Sequence, residues 1–180
     1  MEVHKPLLSD VAAGAKVWEA PAMGSLKINS DAAMFDDGKV GIGGVVRDAE
    51  GDVLMATCVV MEGGGEVDIA EGLAARHSLQ VALDAGFRCV ILESDNLKLI
   101  SHLISGKEEN NSFGFVISDI LWLCMSFLSI SFSHVCREGN RVAHKLAHIS
   151  KNFNGMRVWL EEVPDEVLAD VNSDLISLMK

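Results

Sequence analysis

Leu26-Lys27-Ile28-Asn29-Ser30-Asp31 alternates apolar with polar residues at period two, which predicts a half-buried strand that ends on an acid. Val40–Arg47 is β-like and rich in glycine, and Val53–Met61 is a second apolar, β-branched run. The turn Asp48-Ala49-Glu50-Gly51-Asp52 between them makes the two a hairpin. From Ile69 to Gly86 the β signals vanish: Ala70, Glu71, Leu73, Ala74, Ala75, Leu79, Ala82 and Leu83 predict a helix that Gly86 stops. Cys89-Val90-Ile91-Leu92 is a continuous apolar run, the pattern of a buried central strand, and it emerges at Glu93-Ser94-Asp95. Helices are expected at Asn96–Ser105, at about Phe113–Phe127 and at Arg141–Lys151, with a strand over Leu128–Val135. The predicted order is β-β-β-α-β-α-α-β-α, without an internal repeat.

Before Leu26, prolines, glycines and the lack of a sustained period predict a leader, residues 1–25, with Trp18 docking on the domain. The ordered domain is expected over 26–150, followed by an acidic, amphipathic tail over 151–180 that packs on the domain or recruits a protein partner. Phe113–Val135 is the one stretch that mimics a membrane span. Serines at 126, 129, 131 and 133 break it, so no membrane association is expected. Met1–Asp10 carries charges and a proline where a secretory signal needs an apolar core, which predicts a cytoplasmic or nuclear protein.

With 180 residues, 49% hydrophobic and 23% charged, the chain has the size and composition of one folded domain, not of a disordered or collagen-like segment. Its 15 Lys and Arg against 26 Asp and Glu give a formal charge of -11, so any contact with nucleic acid must be local. Cys58, Cys89, Cys124 and Cys136 are widely spaced and read as free thiols. A zinc site on Cys136, His144 and His148 is the alternative, at spacings unlike those of a finger.

Three acids stand beside apolar sequence: Asp31 at the end of the first strand, Glu71 in the first turn of the helix and Asp95 after the fourth strand. Glu71 shares its helical stripe with Ala74, Ala75, Ser78 and Ala82, all small, so that face can approach a sheet closely and carry Glu71 toward the strand ends. If the first and fourth strands are neighbours, the three carboxylates converge. Such a cluster is unfavourable without cations, and hard oxygen ligands suit Mg2+ or Mn2+. Scattered acids also fall at strand ends by chance, and a helix-starting Glu is favoured by the macrodipole alone.

Five ordered segments carry a family resemblance: Leu26–Ala33, Val40–Asp48, Ala70–Ala75, Leu92–Asp95 and Arg137–Ala143. Together they resemble the type-1 ribonuclease H domain, in its plant reverse-transcriptase-like, retroelement-related branch. The resemblance covers about residues 26–150 and implies an α/β RNase H-like fold, a five-stranded mixed sheet with the first three strands antiparallel and flanking helices. It implies hydrolysis of the RNA strand of an RNA–DNA hybrid with Mg2+ (or Mn2+) held by acids, to which Asp31, Glu71 and Asp95 correspond. Where the family usually has a fourth acid, this chain has His144. A neutral imidazole suits Mg2+ poorly and removes a negative charge from the site. The blander reading of His144 is a surface helix residue beside Arg141 and His148.

The family's basic protrusion is not visible, because Lys98 and Lys107 are the only Lys or Arg between Asp95 and the last strand. His134–Arg157 is the one locally basic stretch, and Arg137, Asn140, Arg141 and Lys145 are its candidate nucleic-acid contacts, non-specific and salt-sensitive. A solvated helix face is the alternative. Gly41-Ile42-Gly43-Gly44 lies inside a β-like segment and does not open a helix, so a dinucleotide loop is excluded; close approach of substrate or tight sheet packing explains it equally. Gly63-Gly64-Gly65 reads as a loop before the helix. Three functions remain: a metal-dependent nuclease, a nucleic-acid-binding module of the same fold that no longer cleaves, and a protein-interaction domain that uses its acidic tail.

Overall fold

A computed structural model describes residues 13–63 and 65–180; the reading of Met1–Asp10 and position 64 of the glycine loop lie outside them. Strands β1 (Leu26–Met34), β2 (Val40–Arg47) and β3 (Val53–Met61) form an antiparallel meander. β4 (Cys89–Ser94) adds parallel to β1, and β5 (Ser129–His134) adds parallel to β4. A sixth strand, β6 (Arg157–Leu160), pairs antiparallel with β3, and the order across the sheet is β5-β4-β1-β2-β3-β6. The expected count of five strands is therefore corrected to six. Arg-Val-Trp-Leu is too short to show a period of its own, and it is a strand because β3 offers it a partner.

Helices α1 (Val67–Asp84), α2 (Leu97–Ser105) and α3 (Ser112–Cys124) cover one face of the sheet. Their core joins Ala75 and Leu79 to Ile28, Val46, Leu92, Leu99, Phe113 and Ile117. α4 (Arg141–Ile149) and α5 (Asp165–Leu178) cover the other, where Val45, Ala56, Val142, Leu146, Val167 and Val171 pack together. The segment after residue 150 thus supplies a strand and a helix to this fold. Among the described residues no helix is long and apolar enough to cross a membrane.

Local chemistry sets the helix ends. Asn96 and Asn111 cap α2 and α3 by accepting from the Leu99 and Gly114 amides at 2.8 Å, and Gly106, at φ 63, closes α2 in the left-handed region. The glycines of β2 serve the helices on both faces. A Cβ on Gly41 or Gly43 would run into the backbone of α4 at Ala147 and Ala143, and one on Gly44 would meet Ser78 of α1. Tight packing, not substrate approach, therefore explains them. The small stripe of α1 behaves as its sequence implies: Ala74, Ala75, Ser78 and Ala82 are all fully buried.

Trp18 is docked. It is buried, its Nε1 donates to Asn29 Oδ1 at 2.9 Å, and the Arg47 guanidinium lies 3.8 Å above its ring. Arg47 donates in turn to Asp174 of α5 at 2.8 Å, so the leader, the hairpin and the last helix meet in one buried polar cluster.

Candidate active site

β1 does not end at Asp31. The apolar residues Ala32, Ala33 and Met34 continue it opposite Ile42, Gly41 and Val40, and Asp31 sits inside the strand across from Gly43. Its other neighbour is β4, whose parallel register sets Asn29 beside Glu93. Two residues further along both chains, on the same face, come Asp31 and Asp95, just where the ladder ends and the strands part. Asn29 Nδ2 donates to Glu93 Oε1 at 3.0 Å, one step before the acids.

Glu71 reaches this point from the first turns of α1. Its Oε1 accepts from the Ala32 amide at 3.4 Å, while its Oε2 is buried without a partner. Ligand oxygens of Asp31, Glu71 and Asp95 all lie within 4.8 Å of one another. The three acids expected to converge do so, and no other group of three potential metal ligands forms among the described residues, the Cys136–His144–His148 set included. Cys136 instead donates its thiol to the Gly14 carbonyl, and all four cysteines are free, as expected.

Crowding leaves its mark on the protons. Burial first, and then the Asp31 charge, push Glu71 far above the ordinary carboxylate range and raise Asp95 as well. His144 stands against the same acid. Its Nδ1 is 2.7 Å from Asp31 Oδ2, and that hydrogen bond raises the imidazole pKa. His148, one turn on, packs against it with the rings tilted by 56° at 4.3 Å between centroids, and its pKa is lowered, by burial and then by His144. His144 is therefore part of the acid cluster and not a bystander on the helix surface.

The basic residues divide. Arg137 is exposed and its Nε is 3.9 Å from Asp95 Oδ2, at the mouth of the site. Lys145 is exposed on α4. Arg141 turns toward α5, donating to Ser173 Oγ at 2.9 Å and lying 3.8 Å from Asp174. Asn140 is 1% exposed, and its side-chain amide is engaged within the protein. Its Oδ1 accepts from Asn29 and its Nδ2 donates to the Ser30 carbonyl at 3.0 Å, which ties the start of α4 to the residue before Asp31. Sequence reasoning missed this brace and its partners Glu93 and Lys27, whose Nζ is 3.1 Å from Glu93 Oε2. The signal that pointed to it was a polar residue, Asn29, at an inward position of a core strand.

Comparison with known proteins agrees with this arrangement. The model of a family described as reverse transcriptase-like matches residues 29–150. A protein of Arabidopsis thaliana named for ribonuclease H is 28% identical over 171 residues, covering 88% of this chain and 26% of its own, so the chain spans about a quarter of that relative's length. RNase H1 of Halobacterium salinarum superposes with a TM-score of 0.66 at 23% identity, covering 72% of this chain and 98% of its own. The N-terminal RNase H domain of a Mycobacterium tuberculosis protein gives 0.63 at 22%, covering 71% and 94%. LC11-RNase H1, crystallised in complex with an RNA/DNA hybrid, gives 0.62 at 20%, covering 71% and 96%.

Proposed function

Because this chain belongs to the reverse transcriptase-like family of RNase H-like domains, we propose that it is a metal-dependent nuclease that hydrolyses the RNA strand of RNA–DNA hybrids. The observation that carries this reading is the convergence of Asp31, Glu71 and Asp95 within 4.8 Å. The donor set fits a hard divalent cation: it is all carboxylate oxygen, and Glu71 Oε2, buried without a protein partner, becomes a ligand oxygen once its proton is released. Mg2+ or Mn2+ bound there supplies charge stabilisation and an activated water for attack on a phosphodiester.

The chain's own residues do the positioning. Asp31 is fixed in a strand between two neighbours, and the Asn29–Asn140–Ser30 brace holds α4 so that His144 faces it. His144, as the fourth member, is a positioning and proton-holding group at Asp31 Oδ2. Arg137 and Lys145 are the phosphate contacts this reading retains, local positive charge in a chain of -11. Arg141 serves them by anchoring α4 to α5.

A second reading has its own observation. His144 already bonds Asp31 at the place where the family usually has an acid, which favours a nucleic-acid-binding module that no longer cleaves. Incubation of a labelled RNA–DNA hybrid at low salt in Mg2+, and separately in Mn2+, decides between the two, with Asp31→Asn as the control. Cleavage by the wild-type chain that the variant lacks is the expected result. Retained hybrid binding without cleavage in either metal overturns the nuclease and supports the module.

A further inference from the structure

His144 and His148 stand four residues apart on α4, so their side chains rise from the same face of the helix. The two imidazoles meet, with 4.3 Å between ring centroids and 56° between ring planes. A Zn2+ ion takes imidazole nitrogen at about 2.0–2.1 Å, so two nitrogens on one ion lie no more than about 4.2 Å apart, and rings in contact can supply them.

The bond to Asp31 prepares His144 for that task. A carboxylate oxygen only accepts, so Nδ1 carries the hydrogen in the 2.7 Å bond to Asp31 Oδ2, and Nε2 is left to offer a lone pair. Histidines that bind metal are commonly held in this way, with one ring N–H donated to a carboxylate and the other nitrogen aimed outward. His148 is exposed and makes no hydrogen bond among the described residues. His77, His102 and His134 differ, being bonded to Thr57, Glu109 and the Asp95 carbonyl. The lowered pKa of His148 leaves its ring unprotonated at neutral pH, the form that a metal needs. Arg137 and Lys151 stand close enough to oppose a cation here, and the carboxylates of Asp31 and Asp95 act against them.

We propose that His144 and His148 form a second cation site, which takes Zn2+ through imidazole nitrogen and leaves the remaining coordination positions to water. Imidazole suits Zn2+, whereas carboxylate suits Mg2+ and Mn2+, so the two neighbouring sites sort ions by the chemistry of their ligands. An ion on His144 Nε2 takes the place of the proton that the imidazolium carries there and keeps the Nδ1 bond to Asp31 intact. Cys136 is not a ligand, because its thiol is bonded to the Gly14 carbonyl. The site does not depend on cleavage of a hybrid.

Titration of the full chain with Zn2+, followed by calorimetry and by the imidazole NMR signals, tests it. Zn2+ is expected to move the His144 and His148 signals together. His148→Ala, at an exposed helical position that alanine suits, should weaken Zn2+ binding by roughly tenfold or more and leave the metal-free far-UV spectrum unchanged. Asp31→Asn dismantles the acid cluster but keeps an oxygen to accept from Nδ1, so it should retain the Zn2+ site while losing the response to Mg2+. Failure of the nuclease reading therefore leaves this result untouched. Zn2+ binding of equal strength in wild type and His148→Ala overturns the proposal, as do His144 and His148 signals that stay in place through the titration.

Discussion

His144 Nδ1 lies 2.7 Å from Asp31 Oδ2, so the residue at the position of the family's usual fourth acid brings a proton donor where a carboxylate would bring another negative charge. The pairing raises the His144 pKa, and the imidazole, when protonated, gives Asp31 a counter-charge from within the chain. Asp31 is also the acid whose charge pushes up both Glu71 and Asp95. In that protonated form one side chain tempers the repulsion that a bound cation would otherwise relieve.

Metal should stabilise the fold through this cluster. At a free concentration of about 100 times Kd, a single bound ion adds about 2.7 kcal/mol, which in a domain of this size raises Tm by roughly 5–10 °C. Thermal melts in Mg2+ and in Mn2+ are expected to show that rise for the wild type and none for Asp31→Asn. A wild type that melts at the same temperature with and without either ion removes the metal site.

Replacing the imidazole by the acid should separate its two effects. His144→Asp is expected to lower the metal-free Tm, because a fourth carboxylate joins three others, and to enlarge the Mg2+-induced rise. Mg2+-dependent hybrid cleavage should increase by roughly tenfold, equivalent to about 1.4 kcal/mol of barrier. An unchanged or lower rate would show that His144 does not limit the reaction.

The convergence of the acids was legible because its causes are local. Alternation placed Asp31 on β1, a small-residue stripe placed Glu71 on the sheet-facing side of α1, and an apolar run delivered Asp95 at the end of β4. What escaped sequence reading depends on partners far along the chain. Arg47 and Asp174 are 127 residues apart, and nothing near either residue marks the other. β6 is a strand by virtue of β3, and Asn140 reads as a surface residue until Asn29 and Ser30 are beside it.

The Arg47–Asp174 pair should be costly to break from one side. Both side chains are almost fully buried, so Asp174→Ala leaves a guanidinium without its counter-charge, a loss of about 3–5 kcal/mol. Exchanging both residues for apolar ones of similar volume should cost far less. Urea unfolding of the single and double variants measures the difference; a single variant within about 1 kcal/mol of wild type, the range of an exposed ion pair, would show that the pair is not dry.

Gly43→Ala tests the packing of α4 on β2. Away from special contacts, alanine in a strand is favoured over glycine by roughly 0.5–1 kcal/mol. At Gly43 the added methyl meets the backbone of Ala143 and Ala147, which cannot turn aside as a flexible side chain can. The expected outcome is a loss of about 1–3 kcal/mol, against no loss for Gly65→Ala, whose added Cβ meets nothing within 4 Å. Equal unfolding midpoints for the two variants would contradict the close approach.

Glu71 makes the metal-free fold sensitive to pH, and the sign follows from its raised pKa. In the unfolded chain the carboxyl titrates near its ordinary value of 4.5, whereas in the fold burial and Asp31 keep the proton on well above that. The resulting stability is fully present below 4.5 and is lost as pH rises toward the folded pKa, because only the unfolded chain has released the proton. The loss is about 1.4 kcal/mol per pH unit for one proton. Glu71→Gln keeps an oxygen to accept from the Ala32 amide and removes the titration. Without metal, the variant should therefore exceed wild type in stability by a margin that grows between about pH 5 and pH 8. With saturating Mn2+ the order should reverse, since wild type can release the proton to bind the ion and the amide cannot. A margin that does not change with pH would mean that Glu71 is ionised in the fold, with its partnerless oxygen already met by a positive charge.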